Sequence, residues 1–308
     1  VRAIAEKAGT STFIVQKVKK DAVGGDLIKI SGSTKTIPSK VIADSINIDG
    51  SRIVTLQLAY PRFIHGEFMT HRVFSRNAMS SRAIPVKKVI EQVLKEPETP
   101  IHWGANQAGM SADTEIYKVK GAIELWGIAA RQAALGAKDM IDLGLHKQVV
   151  NRLLEPFQTM HTVVTATEWE NFFILRDHKD AQPEIKQLAI VMRESIEAST
   201  PLFLGKDDYH LPYLDDKTNL TSLQAIKCSI ARCARVSYLN HDQSEPSVHK
   251  DLGLYDMLYE SGHLSPFEHV ATPITTKYEW QDGETHRGRD GSRWSGNFKD
   301  FIQYRQTL

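Results

Sequence analysis

The sequence has little cysteine, no long apolar run and almost no net charge, and each shortage narrows what the chain can do. Its 308 residues include only two cysteines, and 38 basic side chains nearly balance 37 acidic ones, which leaves a net charge of +1. The strong basic footprint of a nucleic-acid-binding protein is therefore missing. No apolar run reaches the length of a transmembrane helix, and the first residues lack a signal-peptide pattern. We therefore expect a cytoplasmic protein that does not enter membranes.

The two cysteines, Cys228 and Cys233, lie five residues apart in a segment that predicts a helix. This spacing points the two side chains to different faces, which disfavours a disulfide between them. A metal site would need histidine or carboxylate partners, which the sequence does not place beside them. We therefore expect two buried thiols and no metal site.

The first forty residues differ in character from the rest of the chain. Apolar residues recur at helical spacing on both sides of a Gly-Thr-Ser break at 9–11, which resembles a helix-turn-helix. The segment is too short for a complete DNA-binding module. An extension that packs on the body or oligomerises is therefore the favoured interpretation, with nucleic-acid binding as the alternative. We divide the chain into an N-terminal extension, 1–40, and a second domain, 41–308.

Strand and helix patterns alternate from residue 41 onward. The segments 41–46 and 53–58 are rich in aliphatic residues and flank Asp49-Gly50, which predicts a β-hairpin. Asp113 is expected to cap the start of a long helix that ends at Gly144. Apolar residues at helical spacing also predict helices at 63–71, 86–97 and 223–234.

The stretch 69–85, M-T-H-R-V-F-S-R-N-A-M-S-S-R-A-I-P, crowds hydrogen-bond donors together without a carboxylate. It holds three arginines, one histidine and several neutral polar side chains. An ordinary solvated surface mixes both signs of charge. A cluster of donors suits an anion instead, because planar guanidinium groups pair bidentately with phosphate. A phosphate site and a helix N-terminus with exposed arginines fit this composition equally well.

The spacing within this stretch resembles the signature loop of the flavin-dependent thymidylate synthases. From His71 to Arg82 the loop reads H-R-x-x-S-x-N-x-x-S-x-R, where the family usually has R-H-R followed by S-x-N-x-x-S-x-R. In that family the loop holds the flavin and the phosphate of dUMP. Three positions depart from the family, because Thr70 replaces the first arginine, Ala78 replaces a glutamate and Ala83 replaces a tyrosine.

A second segment extends the resemblance. Residues 171–185 read N-x-x-x-L-R-x-x-x-x-A-Q-x-E-I, which is similar to a block of the same family. The resemblance implies that Arg176 contacts the uracil of dUMP and that Asn171 contacts flavin. Considered alone, Arg176 could equally form an ion pair with Asp177 or Asp180.

Two further blocks lie near the C-terminal end. The segment A-R-V-S-Y at 234–238 resembles a family block whose serine touches flavin, which is Ser237 here. The segment S-P-F-E-H at 265–269 resembles a block whose last histidine lies at the flavin, which is His269. In the family both blocks precede the signature loop, whereas here they follow it. The order resembles a circular permutation, which is tolerated where domain termini lie close together on the surface.

The resemblance implies two sets of binding residues. Ser80 and Arg176 carry the catalytic role, with Ser80 positioning the substrate. In the C-terminal tail, Arg305 with Gln303 is a candidate to replace the arginine missing at Thr70, although a basic solvated tail is an equal alternative. The residues implied for dUMP are Ser80, Arg82, Arg152, Arg176 and Arg305. The residues implied for FAD are His71, Arg72, Val73, Asn77, Asn171, Ser237 and His269.

The reaction implied is a one-carbon transfer. Methylenetetrahydrofolate gives its methylene to C5 of dUMP, and FAD reduced by NADPH completes the methyl group of dTMP. A cysteine nucleophile would need an activated thiolate, for which Cys233 is the only local candidate. The family fold is α/β (α+β), a central, mostly antiparallel sheet flanked by long helices, and four subunits share the active sites. The resemblance therefore implies a homotetramer.

Two alternative functions remain open from the sequence. The substitutions at Thr70, Ala78 and Ala83 could permit dCMP as substrate, or capture of water to give a 5-hydroxymethyl nucleotide. A nucleic-acid-binding protein would use the N-terminal segment and the basic tail. A flavoprotein that has kept the fold and lost methyl transfer is a further possibility.

Overall fold

The computed structural model describes residues 37–214, 220–236 and 247–308. These residues divide into two compact units. The sheet unit comprises residues 37–60, 64–79 and the described part of 160–308, and the helical unit comprises residues 61–63 and 80–159. The helix-turn-helix-like segment predicted near the N-terminus lies outside the described residues, as does Ser237. The proposed boundary at residue 40 stays a prediction.

The described elements are numbered here in chain order. The α-helices are α1 His65–Phe68, α2 Val86–Lys95, α3 Val119–Asp142, α4 Lys147–Leu153, α5 Glu170–Arg176, α6 Pro183–Glu197, α7 Ser222–Ala234 and α8 Val248–Glu260. The strands are β1 Ser39–Ile46, β2 Arg52–Pro61, β3 Ser75–Ala78, β4 Thr159–Ala166, β5 Leu202–Phe203, β6 Ala271–Pro273, β7 His286–Arg287, β8 Arg293–Ser295, β9 Phe298–Lys299 and β10 Phe301–Gln303. In the part of the chain that the structure describes, no helix has the length and apolar character needed to cross a membrane.

A five-stranded sheet in the order β3-β4-β2-β1-β5 organises the sheet unit. Strands β1 and β2 are antiparallel, as are β3 and β4, whereas β5 runs parallel to β1. Val163 and Val164 are neighbours in β4 and both are fully buried, so both faces of this strand are covered. Helix α6 packs against β1. The α/β (α+β) fold expected from the resemblance, a mostly antiparallel sheet flanked by helices, is confirmed.

The predicted hairpin of β1 and β2 is also confirmed. Its turn is held by Asn47, whose side-chain Oδ1 accepts hydrogen bonds from the backbone N–H of Asp49 (3.1 Å) and Ser51 (2.9 Å). Gly50 has a φ of +82°, a conformation that other residues rarely adopt. The sequence Asp-Gly therefore supplies the turn that its residue types favour.

Helix α7 carries both cysteines into the core. It begins with a capping box, in which the Thr221 side chain accepts from the backbone N–H of Gln224 while the Gln224 side chain accepts from that of Thr221. Cys228 and Cys233 are free and fully buried, as expected. Burial raises the pKa of both thiols. Within the described residues, no group of three histidine, cysteine or carboxylate side chains is arranged to hold a metal ion.

The helical unit is built on α2, α3 and α4. Its core contains Val89 and Val93 of α2, Ala130 and Ala134 of α3, and Val150 of α4. Helix α2 matches the helix predicted over 86–97.

The start of α3 corrects a prediction. The helix begins at Val119, so Asp113 does not cap it. Residues before Val119 pair with each other instead: Gly104 and Glu115 form an antiparallel bridge, and the backbone N–H of Ala105 donates to the carbonyl of Thr114. The residues next to Asp113 therefore form this bridge and do not begin the helix.

The helix predicted over 63–71 is shorter than expected. Only a single turn, α1, is α-helical, and the chain then turns into β3. Phe68 and Phe74 lie with ring centroids 5.8 Å apart, and both contact Phe172 of α5. Pairing of β3 with β4 extends the chain at Ser75–Ala78, so most of the donor-rich stretch is turn and strand, and its last residue, Pro85, is the N-cap of α2.

Candidate functional site

Strand β3 joins three sequence blocks that lie far apart in the chain. The side chain of Asn77 donates from Nδ2 to the carbonyl oxygen of Cys233 at 2.8 Å, and its Oδ1 lies 3.5 Å from the hydroxyl of Ser265. Cys233 is in the last turn of α7, where backbone carbonyls lack helical partners. Asn77 therefore satisfies one end of α7 and holds the segment 265–269 beside the signature loop.

The C-terminal tail also reaches β3. Gln303 donates from Nε2 to the hydroxyl of Ser75 at 2.9 Å and to the carbonyl oxygen of Glu268 at 3.1 Å. Arg305 forms an ion pair with the carboxylate of Glu268. The tail therefore packs against the loop and the 265–269 block, although Arg305 is engaged with a carboxylate of this chain.

Arg176 at the end of α5 reaches back to the signature loop. Its Nε donates to Nε2 of His71 at 2.9 Å, and its Nη2 donates to the hydroxyl of Thr70 at 3.2 Å. Asp177 pairs instead with Arg193 of α6. Among the described residues, Arg176 forms neither of the ion pairs, with Asp177 or with Asp180, that the sequence left open.

The arginine determines the protonation state of His71. A guanidinium group has donors only, so Nε2 of His71 must accept and the ring proton lies on Nδ1. Burial, together with the positive charges of Arg176 and Arg76, lowers the pKa of His71 to about 4. The ring of Phe172 meets the His71 ring edge-on at 4.8 Å. His71 is therefore a neutral, fixed acceptor at working pH.

A carboxyl group lies in the same region. Burial raises the pKa of Glu67, while the nearby charge of Arg176 opposes that shift. Its buried Oε2 has no hydrogen-bond partner among the described residues. Arg76 donates from Nη1 to the carbonyl oxygen of Phe68 at 3.0 Å, which fixes this guanidinium against α1.

His269 is fully buried and half-satisfied. Its Nδ1 lies 2.8 Å from the hydroxyl of Thr165, whereas its buried Nε2 has no partner among the described residues. Burial lowers the pKa of His269 to about 3, with His210 as a smaller cause. Hydrogen bonds continue from Thr165 to Thr55, from Thr55 to His210, and from His210 to Ser45. The sequence analysis did not include these residues in the site.

The remaining residues predicted for FAD lie at the surface of the sheet unit. Arg72, Val73 and Asn171 are exposed. His71, Asn77 and His269 lie in the packed region around β3. Arg72, Val73 and Asn171 are accessible to solvent. Ser237 lies beyond the described part of the chain.

Three of the residues predicted for dUMP, Ser80, Arg82 and Arg152, lie in the helical unit. Asn151 of α4 donates from Nδ2 to the carbonyl oxygens of Ser81 (2.6 Å) and Ile84 (3.0 Å), which ties α4 to the turn that carries Ser80 and Arg82. Arg82 is exposed.

Arg152 of the same helix is engaged with a carboxylate. Its Nη1 donates to Oε1 of Glu155 at 2.8 Å, which also accepts from Arg62 at 2.8 Å. Ser80, Arg82 and Arg152 thus belong to one region of this unit, in which Glu155 accounts for part of the positive charge.

The donor set fits a flavin better than it fits a cysteine mechanism. An unsatisfied buried polar atom costs about 1–3 kcal/mol, so the free Nε2 of His269 is suited to a ligand that supplies the missing partner. The raised pKa and complete burial of Cys233 keep it a thiol, whereas a nucleophile must be a thiolate.

Comparison with known proteins identifies the family. A model described as thymidylate synthase complementing protein matches residues 52–202. No curated protein matches the chain. The matched residues contain the signature loop and the Arg176 block, and they end before the segments around Ser237 and His269, whose roles stay predictions. The match over residues 52–202 supports membership of the flavin-dependent thymidylate synthase family.

Proposed function

We propose that this protein is a flavin-dependent thymidylate synthase, which transfers a one-carbon unit from methylenetetrahydrofolate to C5 of dUMP and forms dTMP. The family supports an enzyme of thymidylate synthase type. The observation that best supports the finer assignment is the contact of Arg176 with both His71 and Thr70 of the signature loop. This contact joins the two blocks that the reaction requires.

Arg176 stabilises negative charge on the pyrimidine in this proposal. Its two hydrogen bonds use Nε and Nη2, so Nη1 is left for a carbonyl oxygen of the base. Because His71 is neutral, it orients the guanidinium without cancelling its charge. Preorganised donors of this kind stabilise the charge that develops in a transition state.

Ser80, Arg82 and Arg152 bind dUMP in the proposal, and Ser80 positions the substrate. Arg82 is exposed and presents a planar fork that suits phosphate. Arg305 is proposed as the substitute for the arginine missing at Thr70. To bind a phosphate it would have to give up or share its contact with Glu268.

His71, Arg72, Val73, Asn77, Asn171, Ser237 and His269 hold FAD in the proposal. When bound and reduced by NADPH, FAD supplies the hydride that completes the methyl group. The unpaired Nε2 of His269 supports this assignment, because it is a buried polar atom that lacks a partner among the described residues. We further propose a cytoplasmic homotetramer whose subunits share their active sites.

A second candidate is a changed reaction on the same scaffold. Thr70 accepts a hydrogen bond from Arg176 at the position where the family has arginine, so one positive charge of the loop is replaced by a hydroxyl. This difference favours testing dCMP as substrate and a 5-hydroxymethyl nucleotide as product.

The test is an absorption titration followed by product analysis. We expect the purified protein, loaded with FAD, to show flavin bands that shift when dUMP is added. Incubation with methylenetetrahydrofolate and NADPH should then give dTMP from dUMP. A protein that neither takes up FAD nor responds to dUMP would contradict the proposal, and a hydroxymethyl product or turnover of dCMP would favour the second candidate.

A further inference from the structure

Five buried side chains form a continuous row of hydrogen bonds through the sheet unit. Ser45 Oγ lies 2.9 Å from Nδ1 of His210, and Nε2 of His210 lies 2.8 Å from Oγ1 of Thr55. Oγ1 of Thr55 lies 2.7 Å from Oγ1 of Thr165, which lies 2.8 Å from Nδ1 of His269. All five residues are at most 3% exposed. We call this set the hydroxyl–imidazole row.

Both imidazoles in the row are neutral. Burial lowers the pKa of His210 and of His269 to about 3, so near neutral pH each ring carries one proton. Each hydroxyl also has one proton, and the hydroxyls of Thr55 and Thr165 each have two partners in the row. A hydroxyl that accepted from both partners would leave its own buried proton without a partner in the row, so the favoured state donates to one partner and accepts from the other. The donor in one hydrogen bond of the row therefore determines which atom donates in the next.

Only two arrangements satisfy all four hydrogen bonds and also use both threonine protons within the row. In the first, Ser45 donates to His210, and the row runs toward His269, whose proton then lies on Nε2. In the second, the proton of His269 lies on Nδ1 and donates to Thr165, the row runs the other way, and His210 donates from Nδ1 to Ser45. Both arrangements contain the same five protons. A mixture either leaves Thr55 and Thr165 facing each other as acceptors or leaves one buried threonine proton without a partner in the row, and in both cases a hydrogen bond is lost.

We propose that the row couples the tautomers of His210 and His269, so that a ligand at Nε2 of His269 sets the direction of the hydrogen bond at Ser45. In either arrangement the two histidines carry the proton on the same ring nitrogen, both on Nδ1 or both on Nε2. Thr55, Thr165, His210 and Ser45 are thus positioning residues that act through His269. The identity of the ligand as FAD rests on the proposed function.

The ligand-free arrangement follows from the two ends of the row. A buried N–H without a partner is rarer in proteins than a buried acceptor without one. Nε2 of His269 is therefore expected to be the bare acceptor, with both protons on Nδ1 and the Ser45 hydroxyl free to donate. Ser45 lines a cavity of about 620 Å³ whose wall also includes Asp207 and Asp208. A ligand that offers an acceptor to Nε2 reverses the row.

The test is nuclear magnetic resonance of protein labelled with ¹⁵N in histidine, because protonated and bare ring nitrogens have separate shifts. The signals of His210 and His269 are assigned among the 12 histidines from the spectra of the His210→Gln and His269→Gln variants. In the unmodified protein we expect both protons on Nδ1. If one ring carries its proton on Nδ1 and the other on Nε2, the proposed coupling of the two tautomers is wrong, and no further variant is needed to show it.

A break in the middle of the row supplies the second arm. Thr165→Val removes one hydroxyl and should allow the two tautomers to differ, whereas Thr165→Ser should restore their agreement. The matched control is Thr162→Val on the same strand, since the hydroxyl of Thr162 bonds to Tyr60, which is not a member of the row. A His210 signal that is identical in Thr165→Val and the unmodified protein, both with and without FAD, would contradict the coupling.

Addition of FAD separates this inference from the proposed function. We expect FAD to move the proton of both histidines from Nδ1 to Nε2, although only His269 is proposed to touch it. A change at His269 alone would overturn the coupling. Spectra that FAD leaves unchanged would overturn the proposed contact between FAD and His269, while the Thr165→Val arm still decides the coupling.

Discussion

His71 and His269 are both proposed to hold the flavin, but they lie among neighbours of different kinds. His71 accepts from the guanidinium of Arg176, which has donors only, so its proton is fixed on Nδ1. His269 meets the hydroxyl of Thr165, which can donate or accept, so its proton depends on groups further along the row. A charged neighbour therefore fixes a histidine, whereas a hydroxyl neighbour leaves it able to switch.

Replacement of Arg176 tests the charged side of this comparison most strongly. We expect Arg176→Ala to lower the rate of dTMP formation about 100- to 1,000-fold, the usual cost of one preorganised donor. The pKa of His71 should rise from about 4, because one of the positive charges that lower it is removed. A histidine titration followed by magnetic resonance measures this pKa.

Arg193→Ala is the matched control for this variant. Arg193 pairs with Asp177, the residue next to Arg176, without contacting His71 in any hydrogen bond of the described structure. Its replacement should leave the His71 titration unchanged. An unaltered His71 pKa in Arg176→Ala would show that the 2.9 Å contact does not govern this histidine.

The loss of stability at acid pH compares His71, which lies beside charged arginines, with His210 and His269, which lie beside hydroxyls. The pKa of His71 is lowered to about 4, and those of His210 and His269 to about 3, all from 6.5. The unfolded chain therefore binds these protons first as the pH falls. Each histidine contributes stability that is fully present above pH 6.5 and is lost as the pH falls toward its folded-state pKa.

We therefore expect unfolding between about pH 5 and 6 to take up roughly one proton for each of these three histidines. Calorimetry in buffers of different ionisation enthalpy measures the uptake. His269→Gln should reduce it by roughly one proton, and Arg176→Ala should reduce only the share of His71. An uptake that is the same in His269→Gln would contradict a neutral, buried His269.

The sequence was most informative where neighbouring residues determine structure. The Asp49-Gly50 turn and the helix at α2 follow from local residue types, and their predictions are confirmed. The early start assigned to α3 at Asp113 is wrong, because the next two residues, Thr114 and Glu115, pair with a segment about ten residues earlier. Local patterns do not contain that competing contact.

The site shows the same division. The family resemblance placed Asn77 and Arg176 among the expected site residues, and the structure packs both against other blocks of the resemblance. His210 could not be found in this way. It lies in a proline-containing loop with no neighbouring signal, 155 residues from Thr55, its partner in the row. Only the folded chain brings a solitary histidine to two distant hydroxyls.

Two asparagines separate packing from ligand binding. Asn77→Ala should lower the free energy of unfolding by about 1–3 kcal/mol, because the buried carbonyl of Cys233 loses its partner. Asn171 is exposed, so Asn171→Ala should change stability by less than about 0.5 kcal/mol while weakening FAD binding. Urea unfolding and FAD titration measure the two quantities. Equal losses of stability in both variants would remove the distinction.

Arg305→Ala is expected to change stability little, because the Arg305 guanidinium that pairs with Glu268 is exposed. Arg305→Ala should lower the free energy of unfolding by less than about 1 kcal/mol, as for other exposed ion pairs. If Arg305 replaces the arginine missing at Thr70, the same variant should weaken dUMP binding about 10-fold or more, the value of a hydrogen bond to a charged group. Arg287→Ala is the matched control, since Arg287 is another tail arginine, paired with Glu284. An unchanged dUMP affinity in Arg305→Ala would remove the tail from the nucleotide site and leave Arg176 facing Thr70 without a second arginine from this segment.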